Sequence, residues 1–590
     1  MYQHGMIGNC QGSALVGADG GIDWLCLPRP DSPPVFGRLL DPDGGTFLIG
    51  PAVPPVLVTR RYLPNTAVLE TTFDLADGSR FALTDFMPRY ERNGRIHRPL
   101  QILRIITPLI GLPSVKVVCR PVCGWKRQPA QVRRGSGFVR YEGVSGDLHL
   151  ATELPLTYVI EERSFTLTMP VSFVLSWDEH IEADLEQTAA IALRRTVDWW
   201  RQWVKCCSLP MQRQAEVIRS AITLKLHCFE ETGAVLAAPT TSLPEIPGRE
   251  RNWDYRYCWL RDAWLTVSAL CRIGHADDLE NLLTFLLDIA HREEGGRLRP
   301  VYRLDGSLPL PEISHGEWAG HAGSQPVRTG NQAAEHVQND VYGEMLLALS
   351  VLYRDERFVH LRGERWEKLL RMLARRCHET LGEPDAGLWE LRGGWKAHAF
   401  TAMLSLAGLR GYGRLIASGR ILDDPALWAT RSADAERELA RSIQDGVLWN
   451  APGELIPDAS LALLAVLGLG ERSVRSATLA VIREQLSYRI DGHDTGFYYR
   501  YRYGDDFGTP EHAFVICSFW ISEALARLGD LAAAATALDR TQAAANPLGL
   551  FAEHFDPATG KQSGNFPQCY SHVGQISAAF ACSPESPLIG

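Results

Sequence analysis

Leu185-Glu-Gln-Thr-Ala-Ala-Ile-Ala-Leu-Arg-Arg195, followed shortly by Trp199-Trp200-Arg-Gln-Trp203, is where the chain changes character. From Glu182 to Cys207 the period is helical, and tryptophans at this spacing predict a linker helix that packs its Trp face on a neighbour.

Upstream of it, short apolar runs alternate with turn residues. Ser13–Val16, Asp19-Gly20-Gly21 and Ile22–Leu27 form a hairpin signal, repeated at Phe73–Leu75, Asp77-Gly78 and Phe81–Asp85. Further strand-like runs are Ile102–Ile106, Val115–Cys119, Phe138–Tyr141, Leu156–Ile160 and Val171–Trp177. Residues 1–183 are therefore expected to form an antiparallel β-sandwich.

Downstream of the linker (184–210) the pattern is helix upon helix. Val217, Ala221, Leu224 and Cys228 keep one apolar face, a second helix runs from Arg261 to a stop at Gly274, and a third follows Ala276 with Asp277-Asp278 at its start. Nine more helical patterns lie near 340–353, 361–380, 398–410, 430–444, 457–467, 472–487, 512–529, 531–545 and 571–582. Twelve helices in antiparallel pairs close most simply as an (α/α)6 barrel, so 211–590 is read as that domain. Long Gly- and Pro-rich connections at 234–260, 294–339, 381–397 and 490–511, with a shorter one at 546–570, separate alternate helices and are predicted to gather at one mouth. Structureless loops beyond roughly 12–15 residues are usually functional.

The chain has 590 residues, a net charge of −9 and 22% charged residues, without a long Lys/Arg run, which argues against a nucleic-acid or membrane-surface partner. No apolar run reaches the roughly 18 residues that a membrane span needs. The first ten residues lack a basic segment followed by an apolar one, so the expected location is cytoplasmic. Thirteen scattered cysteines are expected to be reduced thiols.

In the first long connection, Trp253, Tyr255, Tyr257 and Trp259 fall on every second residue, so their rings can share one side of an extended segment that ends in Arg261-Asp262. An aromatic core strand is the simpler interpretation. Yet a core strand rarely carries Arg and Asp between its rings unless they are paired, and an aromatic wall with fixed polar groups suits a sugar. Two loop glutamates stand in apolar company: Glu390 in Leu388-Trp389-Glu390-Leu391, and Glu553 behind Leu550-Phe551-Ala552. A carboxyl beside Trp in a dry loop is expected to have a raised pKa, as a general acid requires. Two such carboxyls could flank a glycosidic bond from separate loops.

These motifs resemble glycoside hydrolase family 15, the glucoamylase, glucodextranase and trehalase family. The similarity runs through Ile7-Gly-Asn-Cys10, Gly21-Ile-Asp-Trp…Asp31, Ala238-Pro-Thr-Thr-Ser-Leu-Pro-Glu245, Asn252–Asp262, Gln338-Asn-Asp-Val-Tyr-Gly-Glu344, Gly387–Gly393, and Gly564-Asn-Phe-Pro-Gln568 with Ser571-His-Val-Gly574. The resemblance implies that Glu390 is a general acid and Glu553 a general base. It implies that Arg261 and Asp262 hold the hydroxyls of the terminal glucose, and that Tyr255 and Trp259 wall that subsite. Trp389 and Glu511 would line the pocket. Asp340 and Glu344 are either pocket groups or helix N-terminal acids, while His572 and Asn565 are candidates to fix the Glu553 loop, unless His572 simply sits in the first turn of the last helix. No cofactor is expected, because hydrolysis by two carboxyls needs none and no ligand cluster suggests a metal. The implied activity is an inverting exo-α-glucosidase acting on a small α-glucoside. For a cytoplasmic enzyme the first expected substrate is trehalose, with maltooligosaccharides or isomaltose as alternatives. A phosphorolytic enzyme and a non-catalytic sugar-binding protein are the competing classes. Retention of Glu553 argues against the first, and retention of both glutamates against the second.

Overall fold

A computed structural model of the chain describes residues 2–178, 184–293 and 296–583. The change of texture at Glu182 and the boundary at 183 lie outside the described residues.

The N-terminal part holds two antiparallel sheets. One has the strand order Gly5–Gly8, Ser13–Val16, Gly21–Cys26, Thr46–Pro51, Ser114–Arg120 and Phe165–Thr166, with Pro34–Phe36 also paired to the third. The other, of eight strands, runs Gln131–Arg134, Phe138–Glu142, Asp147–Thr152, Val171–Trp177, Gln101–Ile110, Arg80–Phe86, Leu69–Asp74 and Leu57–Tyr62. Both expected hairpins are present. The sheets touch through Phe47 and Phe173, whose rings lie 6.5 Å apart. Arg104 pairs with Asp85 at 2.7 Å and sends Nη2 across to the Gly20 carbonyl at 2.6 Å. Alternation along the Leu69–Asp74 strand puts Leu69, Thr71 and Phe73 inside.

One expected strand is a helix. Leu156–Ile160, rich in β-branched and aromatic residues, forms the short helix α1. Pro155 is held at φ −52° and starts the turn, Glu161 N–H closes it on the Thr157 carbonyl, and Leu156 and Val159 point inward at i, i+3. The linker is α2, Leu185–Lys205, and its N-cap Asp184 accepts from Gln187 N–H. Its Trp face joins the two parts. Arg89 of the β region lies 4.0 Å over the Trp199 ring. Trp203 stacks on His275 at 4.0 Å and donates to Asp278 at 3.3 Å.

Then follow α3 (Gln214–His227), α4 (Leu260–Ile273), α5 (Ala276–Arg292), α6 (Asp340–Leu349) continued by α7 (Val351–Arg354), α8 (Glu364–Glu379), α9 (Ala399–Ala417), α10 (Pro425–Ala440), α11 (Leu463–Val466) behind a 3-10 turn at Ala459–Ala462, α12 (Arg472–Gln485), α13 (Val515–Arg527), α14 (Leu531–Thr541) and α15 (Cys569–Cys582). Their packing is cyclic: α4 touches α6, α6 touches α9, α9 touches the 459–462 turn leading into α11, α11 touches α13, α13 touches α15, and α15 returns to α4. Helices α3, α5, α8, α10, α12 and α14 pack outside this ring. Sequence explains the partition: α6, α9, α13 and α15 are apolar or small on nearly every face, whereas α8 and α12 bury a single stripe. Each long connection enters a ring helix at its N-terminus. Among the described residues, no helix is long and apolar enough to cross a membrane, and all thirteen cysteines are free thiols.

Candidate active site

All five long connections send side chains into one cavity of about 860 Å³, counted with its open mouth. The stretch from Arg251 to Trp259 runs extended beside residues 237–242, with Ala237 N–H on the Tyr257 carbonyl and Ala238 N–H on the Tyr255 carbonyl, and Arg261 and Asp262 already stand in the first turn of α4. Only Cys258–Trp259 forms a true strand, with Val301–Tyr302. Trp253, Tyr255 and Trp259 face the cavity. Tyr257 does not: it is buried, and its hydroxyl accepts from Gly330 N–H. The charges between the rings are paired, since Arg256 grips Asp254 at 2.7 and 2.8 Å and donates to the Ser32 carbonyl of the β region. Trp24 donates to the Pro239 carbonyl from the same side. The Gly21–Asp31 segment thus braces the strip of chain that carries the cavity wall.

Glu390 and Glu553 both line this cavity. The Tyr255 hydroxyl donates to Glu553 Oε1 at 2.7 Å, and Trp259 Nε1 donates to Glu390 Oε1 at 2.6 Å. The two rings meet edge to face, 5.4 Å between centroids. One aromatic pair therefore bridges the two carboxylates. Burial and the Glu553 carboxylate push the Tyr255 hydroxyl far above the usual tyrosine range, so it stays a donor.

Each glutamate is set by a tight backbone. Glu390 itself sits at φ +60° in a turn where its N–H bonds the Gly387 carbonyl; a non-glycine residue in this region marks local strain. Glu553 N–H bonds the Asn565 carbonyl at 3.2 Å, while Asn565 accepts from Thr240 and donates to the Trp253 carbonyl. His572 accepts from Phe551 N–H and meets Ser220 Oγ, so it buttresses the same loop from the first turn of α15.

Arg261 donates to the Leu388 carbonyl at 3.0 Å and Glu390 at 3.4 Å, and also to the Tyr570 hydroxyl. Asp262, buried in the first turn of α4, is pushed up to about 7 by burial, which outweighs the lowering effect of Arg261. Trp389 lines the cavity, but its indole donates to Asp458 at 2.7 Å and packs against Phe514. The tryptophan that touches the Glu390 carboxylate is Trp259, not its chain neighbour. Asp340 and Glu344 are buried behind the wall and do not line the cavity; Asp340 begins α6, as the helix-start alternative expected. Glu511 is a correction: it is exposed, pairs with Arg249 at 3.4 Å and lies outside the cavity. Its chain neighbours Pro510 and Ala513 are buried, while the Glu511 side chain turns outward to Arg249. Among the described residues no cluster of His, Cys, Asp and Glu is spaced to hold a metal ion.

The sequence model described as Glycosyl hydrolases family 15 matches residues 211–580, and one described as trehalase-like, N-terminal matches residues 1–153. The chain belongs to glycosyl hydrolases family 15. It is 31% identical to a protein named trehalase of Mycolicibacterium smegmatis, over 98% of this chain and 90% of that one. It is likewise 31% identical to a trehalase of Mycobacterium tuberculosis, over 96% and 87%. Among solved structures it is similar to a bacterial glucoamylase complexed with acarbose, with a TM-score of 0.68 and 13% identity over 98% of this chain and 94% of that one; that likeness shows a glucoamylase-like fold.

Several residues of this cavity were not singled out by sequence. Arg251 pairs with Asp505 at 3.0 Å, Arg500 pairs with Glu245 at 3.1 Å, and His336 and Arg392 line the cavity. Glu245 closes the Ala238–Glu245 motif and Arg251 directly precedes the Asn252–Asp262 one, but Asp505 and Arg500 partner them from about 255 positions away, beyond any local pattern. Tyr570 falls in the gap between two quoted motifs, and that spacing could have found it.

Proposed function

We propose that this family 15 glycoside hydrolase is an inverting exo-α-glucosidase of a small α-glucoside, with α,α-trehalose as its first substrate. Glu390 is the general acid that protonates the bridging oxygen. Glu553 is the general base that activates water on the opposite face of the sugar. Arg261 and Asp262 hold the hydroxyls of the glucose that is cleaved from the rest, against the Tyr255 and Trp259 rings. The observation that carries this is the pair of carboxylates on one cavity, each fixed by a donor from the same aromatic strip. The relatives named trehalase, matched along nearly their whole length, support trehalose over longer glucans.

The same proposal includes the architecture: an N-terminal β-sandwich to about residue 183, the α2 linker, and an (α/α)6 barrel from about residue 211, supported by the cyclic helix contacts and the facing sheets. It includes a cytoplasmic location, where a soluble disaccharide is the accessible substrate. The test is a comparison of kcat/KM for trehalose, maltose, isomaltose and soluble starch. Trehalose is expected to exceed the others by at least about tenfold; a preference for maltose or starch would replace it with the glucoamylase alternative.

A further inference from the structure

His336 is buried, with 5% of its surface exposed, and it lines the cavity. Among the described residues it is the one histidine whose two ring nitrogens are both buried without a hydrogen-bond partner. The other deeply buried histidines differ. His227 meets two backbone carbonyls, His572 meets Ser220 and Phe551, and His554 meets Arg500 through Nε2. Buried polar atoms are nearly always satisfied, and an exception facing a cavity is one that a ligand can complete.

Position shows which part of a ligand that is. The cavity floor is formed by buried groups, Asp262 and Tyr570 among them, while Arg392, Asp506 and Phe507 are partly or fully exposed and mark the mouth. The charges that act on His336 are Glu390, Arg392, Glu335 and Asp506, and its ring meets the exposed Trp395 edge on at 6.1 Å. His336 therefore sits on the mouth side of Glu390. A general acid stands at the bond to be broken, so groups beyond it face the portion that leaves. Arg392 is fixed there too, by Glu312 at 2.9 Å and by the Phe507 ring at 5.0 Å.

We propose that His336, beside Arg392, receives the hydroxyl groups of the leaving sugar and is a specificity-determining residue for the leaving group. This rests on the α-glucosidase function proposed above. Burial holds the imidazole below the usual histidine range, so near neutral pH it is uncharged and offers one N–H donor and one nitrogen acceptor. That pair complements two neighbouring sugar hydroxyls. A leaving group without hydroxyls would leave it idle. Sites built to bond a hydroxyl discriminate strongly against analogues that lack it.

The experiment compares kcat/KM for trehalose with that for α-D-glucosyl fluoride, whose leaving group is a single atom. His336→Ala is expected to lower the trehalose-to-fluoride ratio by at least about tenfold, and His336→Gln, which retains a donor and an acceptor, to recover part of it. Thermal unfolding of the variants reports whether they fold, and His336→Leu, which fills the space without a donor or an acceptor, carries the test if the Ala variant does not fold. A ratio within about threefold of wild type in the Ala or Leu variant overturns the inference, whether both substrates lose equally or neither loses. If the wild type hydrolyses the fluoride and another disaccharide but not trehalose, the substrate assignment fails and the ratio is taken with that disaccharide. If it hydrolyses none of them, the glucosidase function fails and this inference falls with it.

Discussion

The Tyr255 hydroxyl donates to Glu553 Oε1 at 2.7 Å across 298 positions of sequence. Burial and the carboxylate itself keep the phenol protonated, so Tyr255 stays the donor of this bond. Tyr255→Phe removes a hydrogen bond to a charged group, about 1.5–3 kcal/mol in typical cases. We expect kcat to fall about 10- to 100-fold with KM changed far less, measured by steady-state kinetics on trehalose. A variant with wild-type kcat would detach Tyr255 from the base.

Glu390 is held by Trp259 at 2.6 Å and Arg261 at 3.4 Å. If it is the acid, its loss matters most where the leaving group needs a proton. Glu390→Gln should lower kcat on trehalose about 10²- to 10⁴-fold and on α-D-glucosyl fluoride by at least tenfold less. Equal losses on the two substrates would reject the acid role.

Glu245 is a structural counterpart. Burial pushes its carboxyl up, but Arg500, His554 and Arg251 together outweigh this and hold it down to about 2. A carboxylate lowered in the folded state adds stability that is complete above the ordinary glutamate range, and it is lost as pH falls toward 2. Glu245→Gln leaves Arg500 buried with a weaker partner. The variant should lose roughly 3–5 kcal/mol at pH 7 and show a shallower fall of its thermal midpoint between pH 4.5 and 2. Parallel midpoint curves for the two proteins would contradict this.

Gly564 has φ +77°, and a Cβ there would lie 2.7 Å from Glu553 Oε2 and 2.8 Å from its Cβ. Gly564→Ala must displace the carboxylate and also strains the backbone. Activity on trehalose should drop at least about 100-fold, the scale of a catalytic group moved by an ångström, while circular dichroism stays native-like. Retained activity would mean that the Glu553 loop is free to adapt.

Much of this was legible in the chain, for identifiable reasons. The ring helices are apolar on nearly all faces, and each helical pattern survived as a helix because propensity and burial agree there. α10 begins at Pro425, five residues before its apolar period, although Asp424 followed by Pro425 is a cap-and-first-turn signal. Leu156–Ile160 misled because β propensity outweighed the Pro155 start. Glu390 and Glu553 could be found because apolar neighbours flank each of them in a loop. His336, Arg500 and Asp505 could not, since their meaning lies in partners and cavities formed by distant loops. Glu511 shows the converse: a plausible acid in a plausible loop, turned to Arg249 and solvent.

The most direct test of the central claim is the anomeric form of the first glucose released from trehalose, followed by proton NMR before mutarotation. Water delivered by Glu553 to the face opposite the broken bond inverts one anomeric carbon, while the leaving ring keeps its α configuration. The expected early spectrum shows equal α- and β-glucose. Release of α-glucose alone would mean retention, and would contradict the roles given to Glu390 and Glu553.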